Sequence, residues 1–122
     1  MRLNPDCVRD VMLYVEENLE YNGSMPMNDI VNSLYSKYPG VDIIYSVEQL
    51  ILKEWLIKRS IDSIIIKDIH PNGHDFLANT RTLSIWEEAK SKLQEKGIEA
   101  TIEIMGILSK QIVKAKLGID IF

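Results

Sequence analysis

The chain has 122 residues, 46% of them hydrophobic and 26% charged, so it is long enough for one folded domain and too apolar for a disordered chain. Its formal net charge of −4 argues against non-specific attraction to nucleic-acid phosphates unless the cations cluster. Residues 1–79 contain 7 Lys or Arg against 12 Asp or Glu, whereas residues 80–122 contain 7 against 6, so the acidity lies in the first part.

Three helices are predicted in the first half of the chain. The first begins at Asn4-Pro5-Asp6, which combines a capping side chain, a proline suited to the first position and an acid at the positive helix end, and it ends at Asn22-Gly23. The second covers about 27–37 and the third about 42–54. The inner face of the third helix is predicted to consist of Ile44, Val47, Leu50 and Ile51.

A β-hairpin is predicted to follow the third helix. The runs Leu56-Ile57-Lys58-Arg59 and Ile64-Ile65-Ile66-Lys67 are rich in β-branched residues. Ser60, Asp62 and Ser63 lie between them and favour a turn. Three helices followed by a hairpin is the winged-helix order, in which helices two and three form the helix-turn-helix and the hairpin is the wing.

The remaining residues are predicted to be helical. A short helix opens at His70-Pro71, and two longer ones follow, from Ser84 to Lys96 and from about residue 99 to 117. The fold class is therefore predicted as α+β and mostly helical: a single domain with a winged-helix-like core in residues 1–69 and two additional C-terminal helices in residues 70–122.

The last helix is apolar over a wide arc, so it must be buried against more than one neighbour. A larger intrachain core would satisfy this requirement, and so would an isologous homodimer. The short hydrophobic tail of residues 119–122 adds to the case for a dimer. The predicted dimer-interface residues are Ile104, Met105, Leu108, Ile112 and Phe122.

The predicted location is the cytoplasm. Cys7 is the single cysteine and cannot form an intrachain disulfide, which favours a reducing compartment. The N-terminal residues have no signal-peptide apolar segment, and the longest apolar runs, such as residues 64–66, are far too short to span a bilayer.

Several motifs resemble those of a known family. The opening Leu3-Asn4-Pro5-Asp6-x-Val8-Arg9-Asp10 and the following Tyr14-Val15-Glu16-Glu17-Asn18 resemble the start of domain-of-unknown-function family 2513 of bacteria and phages. The resemblance extends over nearly the whole chain and implies a winged-helix-like fold, a prokaryotic or prophage context and no catalytic residues. Its other motifs are Gly73-His74-x-Phe76-Leu77, Arg81, Ile85-Trp86 and Lys116-Leu117-Gly118.

Catalysis and cofactors are not predicted. His70 and His74 are four residues apart, but Pro71 places His70 at or before a helix start and no third ligand is close in sequence, so no metal site is predicted. Cys7 in the first turn of a helix could be a reactive thiolate, but a structural cysteine is the better interpretation. No Gly-x-Ser-x-Gly elbow and no glycine-rich phosphate loop occurs.

The leading hypothesis is a non-catalytic binding domain, in its most specific form a DNA-binding transcriptional regulator. The acids Asp42, Glu48 and Glu54 share the third helix and would repel phosphate. The alternative is therefore a protein-interaction module that binds no nucleic acid. The predicted nucleic-acid contacts are Tyr45, Ser46 and Gln49 on the third helix, Lys53 at its end, and Lys58, Arg59 and Lys67 on the hairpin.

Overall fold

The computed structural model describes residues 1–59 and 63–118. It confirms a mostly helical α+β fold, and the predicted short helix after His70 is a full helix of 10 residues, so three helices follow the hairpin among the described residues. In chain order the elements are α1 (Pro5–Asn18), β1 (Met25–Pro26), α2 (Met27–Leu34), α3 (Gly40–Leu52), β2 (Leu56–Lys58), β3 (Ile65–Ile69), α4 (Pro71–Thr80), α5 (Leu83–Glu95) and α6 (Ile102–Leu117).

Helix α1 begins as its sequence predicts. Asn4 Oδ1 accepts hydrogen bonds from the backbone N–H groups of Asp6 at 3.0 Å and Cys7 at 3.4 Å, and proline occupies the first turn. The helix ends at Asn18, four residues before the predicted Asn22-Gly23, because the backbone of Leu19 is already extended. Its buried apolar residues are Cys7, Val8, Val11, Met12 and Val15.

The sheet contains the predicted pairing and one strand that was not predicted. β2 and β3 are antiparallel, with Leu56 opposite Ile69, and the predicted turn residues Ser60 and Asp62 lie outside the described residues. β1 adds to the free side of β3, so the strand order is β1-β3-β2. β1 has only two residues, too few to show the alternation by which a strand is detected in a sequence. Pro26 is tolerated in it because β1 is an edge strand.

The predicted inner face of α3 is wrong by one residue at its start. Ile43 is fully buried, whereas Ile44 is 38% exposed. Ser46 is also buried, and its hydroxyl donates to the carbonyl oxygen of Asp42 at 2.8 Å. Apolar residues lie on both faces of this helix, so periodicity alone does not distinguish the two. The buried face consists of Ile43, Ser46, Val47 and Leu50.

Buried side chains from all six helices and the three strands form one hydrophobic cluster. The C-terminal helices therefore share the core of the first half of the chain. Met105 is fully buried and Ile112 is 5% exposed, so their assignment to a dimer interface is wrong: both pack inside the chain. None of the described helices has the length and apolarity needed to cross a membrane.

The register of α3 can be tested with neighbouring isoleucines. Ile43→Ala should lower the free energy of unfolding by about 2–5 kcal/mol, because it leaves a cavity in the core. Ile44→Ala should cost less than about 1 kcal/mol, because Ile44 is partly solvated in the folded state. Urea unfolding with unchanged m values would measure both. Equal losses of unfolding free energy in the two variants would contradict the burial of Ile43 and the exposure of Ile44.

Candidate functional site

The N-terminal motif residues hold α1 and α5 together. Asp6 accepts a hydrogen bond from Trp86 Nε1 at 2.7 Å, and Lys90 Nζ lies 3.0 Å from its other carboxylate oxygen. Burial raises the pKa of Asp6, but the bonds from Trp86 and Lys90 outweigh it and hold the pKa below its ordinary 3.8. The carboxylate is thus a structural acceptor between two helices.

Arg9 connects α1 to the C-terminal end of α4. Its side chain is buried, with Nε donating to the carbonyl oxygen of Thr80 and Nη2 to that of Arg81, both at 2.8 Å. The last carbonyls of a helix have no intrahelical partner, so the guanidinium satisfies two of them. It also lies 5.5 Å from the centre of the Trp86 ring, within cation–π range.

Arg81 in turn binds α1 through Glu16. Its Nε and Nη2 donate to the two carboxylate oxygens of Glu16, a bidentate pair between residues 65 positions apart. The hydrogen bond from Arg81 holds the pKa of Glu16 below its ordinary value. Asp6, Arg9, Glu16, Arg81 and Trp86 therefore use their polar groups to join helices.

Gly73 marks a close approach between α4 and the rest of the core. A Cβ atom there would lie 2.8 Å from Met12 Cε, 2.8 Å from the backbone oxygen of Trp55 and 2.9 Å from Ile69 Cγ2. Phe76, one turn later, has its ring 4.7 Å from that of Trp55. Packing thus explains Gly73, Phe76 and Leu77 of the motif.

The candidate nucleophile Cys7 and the candidate metal ligands His70 and His74 have different environments in the structure. Cys7 is fully buried, and burial raises the pKa of its thiol, which disfavours a reactive thiolate. His70 caps α4, with Nδ1 accepting from the N–H of Asn72 at 3.0 Å, whereas His74 is exposed. Within residues 1–59 and 63–118, no group of three or more His, Cys, Asp or Glu is arranged to hold a metal ion.

The predicted nucleic-acid contacts do not form one surface. Ser46 is buried, so its assignment as an exposed reader of bases is wrong, and Tyr45 and Gln49 are only half exposed. Lys53 Nζ lies 3.2 Å from Glu103 Oε1 and 5.0 Å from the centre of the Trp55 ring. The cation at the end of α3 is therefore already engaged within the chain.

The hairpin cations are exposed, but acids surround two of them. Lys58, Arg59 and Lys67 have no ion-pair partner among the described residues. Arg59 and Lys67 line a cleft of about 420 Å³ between α1 and the hairpin. Its lining also includes the carboxylates Glu16, Glu20 and Asp68, so the cleft has mixed charge.

The outer surface of α3 is apolar instead of basic. Val41 is 58% exposed, Ile44 38% and Leu52 75%, and the exposed Glu48 lies between them along the helix. We call these four residues the α3 face. The helix contains no Lys or Arg from Gly40 to Leu52.

A depression of about 260 Å³ at the C-terminal end of α3 is lined by Gln49, Leu52 and Leu3, among others. Val41 and Leu52 were missed by sequence reasoning, although their spacing to Ile44 and Glu48 is a second helical stripe.

The remaining predicted dimer residues lie at the edge of the core. Ile104 and Leu108 are half-buried and pack against it, and Phe122 lies outside the described residues. The most exposed apolar side chain in the middle of α6 is instead Ile107, with 61% of its surface accessible.

Arg9 should be essential for stability. Arg9→Met should lower the free energy of unfolding by about 3 kcal/mol or more, because two bonds from a charged donor are lost and the Thr80 carbonyl remains buried. Arg9→Lys should recover only part of the loss, since an ammonium cannot reproduce the planar fork. Chemical denaturation would measure the stability of both variants. An Arg9→Met variant as stable as the wild type would contradict this structural role of Arg9.

The Glu16–Arg81 pair should make the free energy of unfolding depend on pH in the acidic range. Its contribution is complete above pH 4.5, the ordinary pKa of Glu16, and is lost as the pH falls through the lowered folded-state value. Between about pH 5 and pH 3, Glu16→Gln should therefore lose less stability than the wild type. Urea unfolding of the wild type and the Glu16→Gln variant across this range would measure the difference. If the free energy of unfolding changes with pH equally in both proteins, the pair has no such role.

Comparison with known proteins gives a family. No curated protein and no solved structure matches the chain at a significant level. A family model described as "Hypothetical protein (DUF2513)" matches residues 2–99, which include the Asp6, Arg9 and Arg81 contacts but not α6. Because the match covers most of the sequence, the chain belongs to the DUF2513 family.

Proposed function

We propose that this chain is a non-catalytic binding domain of winged-helix type that binds a protein partner, not duplex DNA, through the α3 face. Support for the winged-helix assignment comes from the element order α1-β1-α2-α3-β2-β3 and the antiparallel order β1-β3-β2. In winged-helix proteins the third helix is the recognition helix and the hairpin lies beside it. The α3 face is the corresponding surface here.

The charge of α3 is the observation that carries the proposal. A helix that enters the major groove passes between phosphates and needs cations or neutral polar groups on its outer side. Here the outer side presents Val41, Ile44 and Leu52, with Glu48 as its charged residue. Burying these apolar side chains against a protein would be favourable, whereas burying Glu48 against phosphate would be costly.

The chemistry of the partner follows from the same residues. Three apolar side chains along one helix fit the apolar side of an amphipathic helix, because two helices with apolar stripes can pack along each other. Glu48 favours a Lys or Arg in the partner, and the net charge of residues 1–79 acts in the same direction. The partner we propose is therefore a basic amphipathic segment of another protein.

A DNA-binding transcriptional regulator of bacterial or prophage origin is the second candidate, favoured by the exposed Lys58, Arg59 and Lys67. Three phosphate contacts would release only roughly 2.7 counterions, so their affinity would be modest and sensitive to salt. A fluorescently labelled mixed-sequence duplex at about 20 mM salt should show no saturable rise in anisotropy with the wild-type protein. Saturable binding that Lys58→Ala/Arg59→Ala/Lys67→Ala abolishes would favour the regulator instead.

Protein binding is tested with a display library of helical peptides selected against the wild-type chain. Selected peptides should have apolar residues at positions i, i+3 or i+4 and i+7, together with Lys or Arg. Ile44→Asp and Leu52→Asp should each weaken their binding by about tenfold or more, because both place a charge on the apolar face. Glu48→Lys should weaken basic peptides in the same way.

Leu83→Asp is the matched control, since Leu83 is 59% exposed at the start of α5 and lies outside the α3 face. It should leave peptide affinity unchanged. Peptides whose binding is insensitive to every α3 variant, or a selection that yields no peptide above background, would contradict the proposal.

A further inference from the structure

We propose that the depression of about 260 Å³ at the C-terminal end of α3 is an anchor pocket, which takes one Phe or Trp side chain of the segment that binds the α3 face. The inference rests on the proposed function and adds to it the residue that anchors the partner and the position of the partner's cation. Residues of α3, of α6, and of α1 with the segment before it line the pocket, and only the fold brings them together.

The anchor pocket is lined mainly by apolar side chains. Val8, Leu50 and Ile102 line it from three different helices and are almost completely buried, so they lie at its base. Leu3 and Leu52 also line it and are exposed. An apolar side chain in the pocket would remove the exposed area of both leucines from water, which is favourable. Leu52 belongs to the α3 face as well, so the pocket continues that face.

The volume of the pocket limits the size of its occupant. An apolar cavity of roughly 150 Å³ is large enough to bind benzene, whereas sites for whole small-molecule ligands occupy roughly 300–1,000 Å³. The anchor pocket, at about 260 Å³, lies between these sizes. It therefore matches a single large side chain, Phe or Trp, that enters from a partner.

The two charged groups at the pocket compensate each other. Lys53 Nζ lies 3.2 Å from Glu103 Oε1, and both residues line the pocket. A charged side chain would find no unpaired opposite charge there and would be costly to bury, whereas an apolar side chain leaves the ion pair in place. The anchor is therefore neutral, and the cation of the partner lies elsewhere.

Glu48 is the acid available to that cation. It is exposed and forms no ion pair within residues 1–59 and 63–118. Glu48 and Leu52 are one helical turn apart, so their side chains are neighbours on one face of α3. Residues three or four positions apart are neighbours in the same way on a partner helix. A partner whose anchor lies beside Leu52 therefore reaches Glu48 with a Lys or Arg three or four positions from the anchor.

Indole tests the anchor pocket without any partner. When indole is added at millimolar concentration to the isotope-labelled wild-type chain, the methyl NMR signals of Val8, Leu50 and Ile102 should shift in a saturable way. The signals of Ile30, a buried residue of α2 outside the pocket, should not move. Leu3→Asp should weaken indole binding about threefold or more, because it places a carboxylate at the pocket. Absent shifts, or equal shifts at Ile30, would overturn the proposal.

Peptides selected against the α3 face test the anchor itself. They should contain Phe or Trp, and replacing that residue by Ala should raise the dissociation constant about tenfold or more. Leu3→Asp should have a similar effect, although Leu3 lies outside α3. Leu83→Asp, an equally drastic change at an exposed leucine outside the pocket, should have none. Circular dichroism should show that both variants fold.

A double-mutant cycle tests the position of the cation. Glu48→Gln and replacement of the Lys or Arg of the peptide by Gln should each weaken binding about threefold to tenfold, but together no more than either alone, because both remove the same ion pair. Additive losses would overturn the proposed spacing. Peptides that Ile44→Asp weakens but Leu3→Asp leaves unchanged would contradict the anchor pocket alone, whereas peptides that no α3 variant affects would contradict the proposed function as well.

Discussion

Arg9 is a cation on α1 that is buried under the Trp86 ring and bonded to the final carbonyls of α4. Removing a guanidinium from water is costly, and the cost is offset here because two backbone acceptors that a helix end leaves unpaired are satisfied at the same time. Nearby, Asp6 binds Trp86 and Lys90, and Glu16 binds Arg81. Together these contacts fasten α4 and α5 to the first helix.

This attachment determines which surfaces remain for binding. The polar groups of α1 that could have formed a site are used within the chain, and the core takes the apolar residues of the C-terminal helices. What remains outside is an apolar and acidic α3 face, a cleft of mixed charge beside the hairpin, and the Ile107 region of α6. The described residues show no cluster of groups suited to holding a metal ion.

The elements that sequence reasoning located well are those with local chemical signals. Asn4-Pro5-Asp6 started α1 where predicted, and Gly118 ends α6 in a left-handed conformation that glycine adopts at little cost. The register of α3 could not be predicted because Ile43 and Ile44 are equally apolar neighbours. The two residues of β1 were missed because their strand exists only through pairing with Ile65 and Ile66.

The sequence by itself determined the helical periods, the Asn4 cap of α1, the hairpin strands and the low density of cations in the first half, since each of these depends on neighbouring residues. The predicted cap at Ser84 is wrong, because α5 begins at Leu83 with Thr82 before it. Only the tertiary structure decided which apolar residues are inside. It also decided that Ser46 and Met105 are buried, and that Lys53 meets Glu103 and Arg81 meets Glu16. These outcomes depend on contacts between residues far apart in the sequence, 65 positions for Arg81 and Glu16 and 80 for Trp86 and Asp6, and the free energy of such contacts comes from packing that no local pattern encodes.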